Sequence, residues 1–105
     1  EEYAKVFTAV TGMEMSGQEL LHIGERIYYA DRIMNAKNGF GIDDDILPER
    51  FFTQRGSDGN GITIPPIDRE AFTEARARYY TVRGLDSRGK PTREKTKQLE
   101  LTWND

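Results

Sequence analysis

The stretch MSGQELLHIGERIYYADRIMNAKNGFGIDDDILPERFF, residues 15–52, decides how this chain folds. Ser16 and Glu19 stand three apart in the pattern of a capping box, in which each side chain satisfies a backbone N–H at the helix start. Met15 and Leu20 are placed as the accompanying hydrophobic staple. Leu20, Ile23, Ile27, Ala30 and Met34 then recur on one helical stripe, with Leu21, Tyr28 and Ile33 beside it. Asn38-Gly39 supplies a C-terminal stop. The stretch predicts one long helix, a glycine exit, a three-aspartate turn and a turn over residues 47–52 anchored by buried Phe51 and Phe52. Gly24 weakens a helix by about 1 kcal/mol against alanine, so a close backbone crossing is expected there.

Outward from this spine, Tyr3, Val6, Phe7 and Val10 predict a short helix over residues 2–10, ended by Thr11-Gly12. Residues 55–61 read as a glycine-rich bend. Ile62-Thr63-Ile64 alternates like a strand that Pro65-Pro66 stops at once. Asp68 caps a helix whose predicted buried stripe is Phe72, Ala75, Tyr79 and Val82, and Gly84 closes it. Asp86-Ser87-Arg88-Gly89 is a turn, and Thr92 caps a last short helix through Leu99, with Leu101 and Trp103 folding back. The expectation is an all-α fold: a small multihelical domain of about four helices with long loops and at most a stub of strand.

With 105 residues, 36% hydrophobic and 31% charged, the chain is one domain at most, or a piece of a larger one. It opens at Glu1 in helix-like sequence, as expected of a piece cut or processed from a longer chain. It has no cysteine, which excludes a disulfide framework and any cysteine-ligated zinc or iron–sulfur site within these residues. No apolar run approaches the ~20 residues of a membrane span. Residues 1–50 carry ten acids and five bases, and residues 51–105 carry eight acids and ten bases. That mild dipole falls short of a nucleic-acid-binding patch.

Few residues suggest chemistry. Around Asp58 the EF-hand positions 1 and 12 would be Gly56 and Ile67, which cannot ligate calcium. Asp43, Asp44 and Asp45 serve better as caps, and as partners for Arg26, Arg32 or Arg50, than as metal ligands. His22, the only histidine, has no nucleophile placed by motif around it. Arg76, Arg83, Arg88, Lys90 and Arg93 form a basic face that could meet an acidic partner; a solvated helix face is its plain reading. Glu25 and Arg32 lie two turns apart on one side of the long helix, where charges either snorkel or pair against another segment.

One ordered set of residues goes further. Thr11-Gly12, Glu25-Arg26-Ile27, Arg32-Ile33-Met34-Asn35, Gly39-Phe40 and Asp44-Asp45-x-Leu47-Pro48-Glu49-Arg50-Phe51 form a first block. Tyr79-Tyr80-x-x-Arg83-Gly84-Leu85-Asp86-x-x-Gly89-x-Pro91-Thr92-x-Glu94-Lys95 forms a second. Together they resemble the C-terminal region of the tungsten-containing aldehyde:ferredoxin oxidoreductases, over about residues 4–101. Leu85 stands where that family usually has tryptophan, and Thr96 where an apolar residue is common; both departures concern packing. The resemblance implies a cytoplasmic enzyme of anaerobes holding tungsten on two molybdopterin-type pterins beside a [4Fe–4S] cluster. Such an enzyme oxidises an aldehyde to a carboxylate and passes electrons to ferredoxin. Its pterin motifs and cluster cysteines lie upstream of the matching region. Residues 1–105 would then be a single C-terminal domain of a larger oxidoreductase, inactive alone, with no catalytic, cofactor-binding or metal residue of its own. Its partners would be the rest of the parent chain and, for the whole enzyme, ferredoxin, with no nucleic acid or membrane. Glu25, Arg32, Asp44, Asp45 and Arg50 are expected to form an ion-pair network locking the long helix to the aspartate loop. A free-standing helical interaction module docking an acidic partner on the basic face is the alternative.

Overall fold

The computed structural model describes residues 1–101, so the position of Trp103 lies outside the described residues. Among the described residues five helices, one of them the single-turn α3, and one hairpin of two two-residue strands make a mainly helical domain. The order is α1 (Glu2–Thr11), α2 (Gly17–Lys37), α3 (Arg50–Thr53), β1 (Gly56–Ser57), β2 (Thr63–Ile64), α4 (Arg69–Arg83) and α5 (Arg93–Gln98).

Local backbone accounting explains where these elements begin and end. The Ser16 hydroxyl accepts the Glu19 N–H at 3.2 Å, and the Glu19 carboxylate accepts the Ser16 N–H at 2.8 Å, closing the capping box. That second bond holds the Glu19 carboxyl below its ordinary range. At the far end of α2, Gly39 has φ +90. The Gly39 N–H bonds to Ala36 O and the Phe40 N–H to Asn35 O, the paired bonds of a Schellman stop. Asp68 and Thr92 cap α4 and α5 through the N–H groups of Ala71 and Lys95. The strand stub finds a partner in the glycine bend, with Gly56 opposite Ile64 and Ser57 opposite Thr63. In the turn between, Asp58 accepts the N–H groups of Asn60 and Ile62, so its carboxylate closes a bend.

Two expectations about close packing are corrected. Nothing lies within 4 Å of a Cβ built on Gly24; the tight approach is at Gly17, where a Cβ would sit 2.7 Å from Glu1 Oε2 and 3.2 Å from Glu1 N. The start of α1 passes over the start of α2 there, and Glu1 accepts the Gly17 N–H. Phe51 is exposed; of the two phenylalanines only Phe52 is half-buried, edge-on to Phe72 at 5.4 Å.

The core is small and sits where α2, α4 and the segment after α4 meet. Tyr29, Tyr80, Leu85 and Leu99 form it, with Tyr28, Ile42 and Leu101 packed against it. Thr96 is buried beside this core, and its hydroxyl bonds back to Arg93 O, so the polar group is not left unpaired.

The inward face of both long helices differs from the apolar stripe that the sequence advertises. On α2 the inward face is Glu25, Tyr28, Tyr29, Arg32, Ile33 and Ala36. The predicted stripe is centred roughly 160° away around the helix at 100° per residue: Ile23, Ile27 and Met34 are exposed, with Leu20 and Ala30 half-buried. On α4 the covered face is Phe72, Arg76, Tyr80 and Arg83, whereas Tyr79 and Val82 are exposed, Val82 at 84%. Tyr3, Val6 and Val10 of α1 are also exposed. The radius of gyration is 18.4 Å, against about 13 Å for a compact domain of this length. The surface is 8269 Å² for 12.1 kDa, about 2,200 Å² more than a folded monomer of that mass exposes. Apolar periodicity on these helices therefore marks surface that this chain does not itself cover.

Candidate functional site

The inward face of α2 carries three polar ties at positions 25, 29 and 32, spaced by four and three so that they stack along one side of the helix. At the α5 end, Lys95 Nζ lies 2.8 Å from Glu25 Oε1 and 5.3 Å from the centre of the Tyr29 ring. The Lys95 hydrogen bond holds the Glu25 carboxyl below its ordinary range against the opposing effect of burial. In the middle, the Tyr29 hydroxyl donates to Arg83 O, the last carbonyl of α4. Burial raises the pKa of that hydroxyl.

The third tie is the most connected. Asp45 accepts a two-pronged contact from Arg32, with Nη1 to Oδ1 at 2.9 Å and Nη2 to Oδ2. The Tyr80 hydroxyl donates to the same Oδ2. Arg32 Nε donates to Gly89 O at 2.8 Å, and the guanidinium carbon sits 5.8 Å from the Tyr80 ring centre. Arg76 Nη1 donates to the carbonyls of Ile42 and Asp45, at 2.9 and 2.8 Å. One guanidinium thus joins α2 to the aspartate loop and to the 86–89 turn, while a second fixes the loop to α4. The Arg32 and Asp45 side chains are only 18% and 28% exposed, so screening by water is limited and geometry decides the strength. Arg32 holds the Asp45 carboxyl well below the usual carboxylate range, with the Tyr80 hydroxyl helping. Burial, then the bond to Asp45, pushes Tyr80 up to about 12.

Gly89 is required at this junction on two counts. Its φ is +79, and a Cβ there would lie 2.5 Å from Arg32 Nη2 and 2.9 Å from the Tyr80 hydroxyl. The Ile42 N–H also bonds to Arg88 O at 3.0 Å, so loop and turn meet backbone to backbone.

Of the five residues expected to form one network, the structure brings Arg32 and Asp45 together. Glu25 pairs instead with Lys95, two turns away along α2. Asp44 caps its own loop by accepting the Gly41 N–H at 2.9 Å. Arg50 lies over the ring of its neighbour Phe51 at 5.2 Å. Tyr80, Gly89, Arg76 and Lys95 complete the seam. The one sequence signal that could have flagged it is the run Glu25, Tyr29, Arg32 at helical spacing.

The basic face is also redistributed. Arg76 is spent on the loop carbonyls, and Arg83 lies over the rings of Tyr28 and Tyr29 at 5.2 and 5.4 Å. Both are turned toward the seam, which removes two of the five bases from any partner-facing surface; Arg88 and Arg93 are exposed and Lys90 half-buried.

The Glu25 and Asp45 carboxylates are paired and Asp44 caps its loop, and Tyr80 and Tyr28 are held neutral far above physiological pH. Among the described residues no group of three or more His, Cys, Asp or Glu side chains could hold a metal ion, and the chain has no cysteine. No described helix is long and apolar enough to cross a membrane.

Residues 1–101 match the family described as aldehyde ferredoxin oxidoreductase, domains 2 and 3. Tungsten-containing aldehyde ferredoxin oxidoreductases of Pyrococcus furiosus and Pyrococcus horikoshii are each 33% identical over 104 residues, 96% of this chain and 16% of theirs. The Thermococcus kodakarensis protein of the same name is 32% identical over the same share. The chain therefore spans about a sixth of the length of the curated relatives it matches.

Proposed function

Since the chain belongs to the aldehyde ferredoxin oxidoreductase family, we propose that it serves as the C-terminal structural domain of a tungsten-containing member. In this reading residues 1–105 form one helical domain that helps to bury the cofactor and wall the substrate channel, without catalysing anything alone. The parent enzyme oxidises an aldehyde to a carboxylate, taking the added oxygen from water and releasing three protons and two electrons, the electrons passing to ferredoxin in the cytoplasm. Tungstopterin and a [4Fe–4S] cluster are held by the remainder of the chain. What supports this most is the surplus surface: a chain whose charged groups close on one another while its aliphatic faces stay open is built to be packed into something larger.

Expression of the full-length chain with and without this segment tests the reading. The complete enzyme is expected to contain tungsten and to reduce ferredoxin with an aldehyde. The segment alone is expected to show neither property, and its deletion to abolish both. Tungsten or aldehyde oxidation in the isolated segment, or full activity after its deletion, would overturn the proposal.

A further inference from the structure

The glycine-rich turn between β1 and β2 takes no part in the seam, and it carries an exposed asparagine–glycine pair. We propose that Asn60 is a site of spontaneous modification, at which the Gly61 nitrogen attacks the Asn60 side-chain carbonyl to close a succinimide that water reopens to isoaspartate or aspartate. In the first step an N–C bond forms to Cγ and the C–NH2 bond breaks; the Gly61 proton leaves with the amide nitrogen as ammonia. In the second, water cleaves one of the two imide C–N bonds. The sum is asparagine plus water to isoaspartate or aspartate plus ammonia, with no oxidant or cofactor.

The chain has three pairs at which such a ring could close, Asn38-Gly39, Asp58-Gly59 and Asn60-Gly61, and the fold treats them differently. The glycine nitrogen must reach Cγ and shed its proton, so hydrogen bonds that occupy the N–H or anchor the side chain hold the reaction back. Asn38 is held twice: its Nδ2 donates to Met34 O at 3.0 Å, and the Gly39 N–H donates to Ala36 O at 3.1 Å. Asp58 is held as firmly. Its Oδ1 accepts the N–H groups of Asn60 and Ile62 at 2.8 and 3.0 Å, while the Gly59 N–H donates to Ser57 Oγ at 3.2 Å. Among the described residues the Gly61 N–H has no hydrogen-bond partner. Nothing lies within 4 Å of a Cβ built on Gly59 or Gly61, so the turn stands clear of the chain and its backbone can swing the two atoms together.

The product alters the hairpin. The Asp58 carboxyl lies below its ordinary range chiefly because it accepts the Asn60 N–H, and the Asn60 amide adds to this. A carboxylate in place of that amide sets two negative charges side by side, and isoaspartate also lengthens the backbone of the turn by a methylene. Both changes loosen the pairing of Gly56 with Ile64 and of Ser57 with Thr63.

The test ages the full-length protein in mildly alkaline buffer, native and urea-unfolded, and locates deamidation and isoaspartate by peptide mass spectrometry. In the native protein Asn60 is expected to convert at least about tenfold faster than Asn38, the factor that about 1.4 kcal/mol of protection gives. In urea, where the hydrogen bonds of α2 are gone, the two rates should agree within about threefold, or about 0.6 kcal/mol. A smaller native ratio would overturn the inference. So would an equally large ratio in urea, which would trace the selectivity to flanking residues instead of the fold. Asn60 that stays intact in the native protein while the unfolded chain reacts would also overturn it, by showing that the turn is covered in the full-length protein.

Discussion

Replacing Asp45 with asparagine should open the junction between α2, the aspartate loop and the 86–89 turn. The change keeps the shape but removes the charge and turns an NH2 group toward donors. Three donor atoms now converge on the carboxylate: Arg32 Nη1, Arg32 Nη2 and the Tyr80 hydroxyl. Hydrogen bonds to a charged group contribute about 1.5–3 kcal/mol each, and removing one partner of a buried pair costs about 3–5 kcal/mol. The amide oxygen recovers one bond, and the 18% and 28% exposure of the pair admits some water, so a net cost of about 3 kcal/mol is expected. Amide hydrogen exchange in the full-length protein reads this locally. The Ile42 N–H, bonded to Arg88 O, and the Gly89 N–H, bonded to Asp86 O, should exchange about 100-fold faster, since each 1.4 kcal/mol is a factor of ten. A change under about threefold, or about 0.6 kcal/mol, would refute the reasoning. Arg32→Met combined with Asp45→Leu should be milder than either single change, because an apolar pair leaves no charge unmatched.

Gly89→Ala should cost about 2 kcal/mol or more, because the left-handed φ and the 2.5 Å approach to Arg32 act together; a melting temperature within about a degree of wild type would show that the turn can shift. Acid should loosen both charged ties. Asp45 and Glu25 titrate below their ordinary values of 3.8 and 4.5 in the folded chain, so their stabilisation is complete above those values and is lost as pH falls through the lower folded ones. Urea midpoints measured from neutral pH downward should therefore drop below about pH 4–5, with a smaller drop in Asp45→Asn. Alkali should act oppositely on Tyr80 and Tyr28, both pushed from 10.0 to about 12. Their contribution is whole below pH 10 and fades as pH rises through about 12, and tyrosinate absorbance that develops fully by pH 10 would contradict this.

Caps and stops were legible in the sequence because they are local. Ser16 with Glu19, Gly39, Asp68 and Thr92 each satisfy backbone groups a few residues away, and the same residues do so in the structure. The inward faces were not legible, for a physical reason. Periodicity at Ile23, Ile27 and Met34 reports that a face is apolar, and says nothing of whether its cover lies in the same 105 residues. Gly24 misled for a related reason: a glycine in a helix implies a close approach, but the approach occurs at Gly17, where Glu1 crosses. The candidate seam was half legible. Glu25 and Arg32 stood out as charges on a helix side, while their partners Lys95, Tyr80 and Gly89 are 48 to 70 residues away and are joined only by the tertiary fold. Those partners do fall within the two blocks of residues that carry the family resemblance.

The central claim is that this segment turns its polar side chains inward on its own chain and its aliphatic faces toward the rest of an enzyme. Hydroxyl-radical footprinting of the full-length protein tests it most directly, because it reads side chains rather than amides. Tyr3 of α1, Met34 of α2 and Val82 of α4 are all exposed on this chain alone. In the full-length protein all three should oxidise at least tenfold more slowly than in the unfolded state. Oxidation of all three at near-unfolded rates in an intact enzyme would contradict the account.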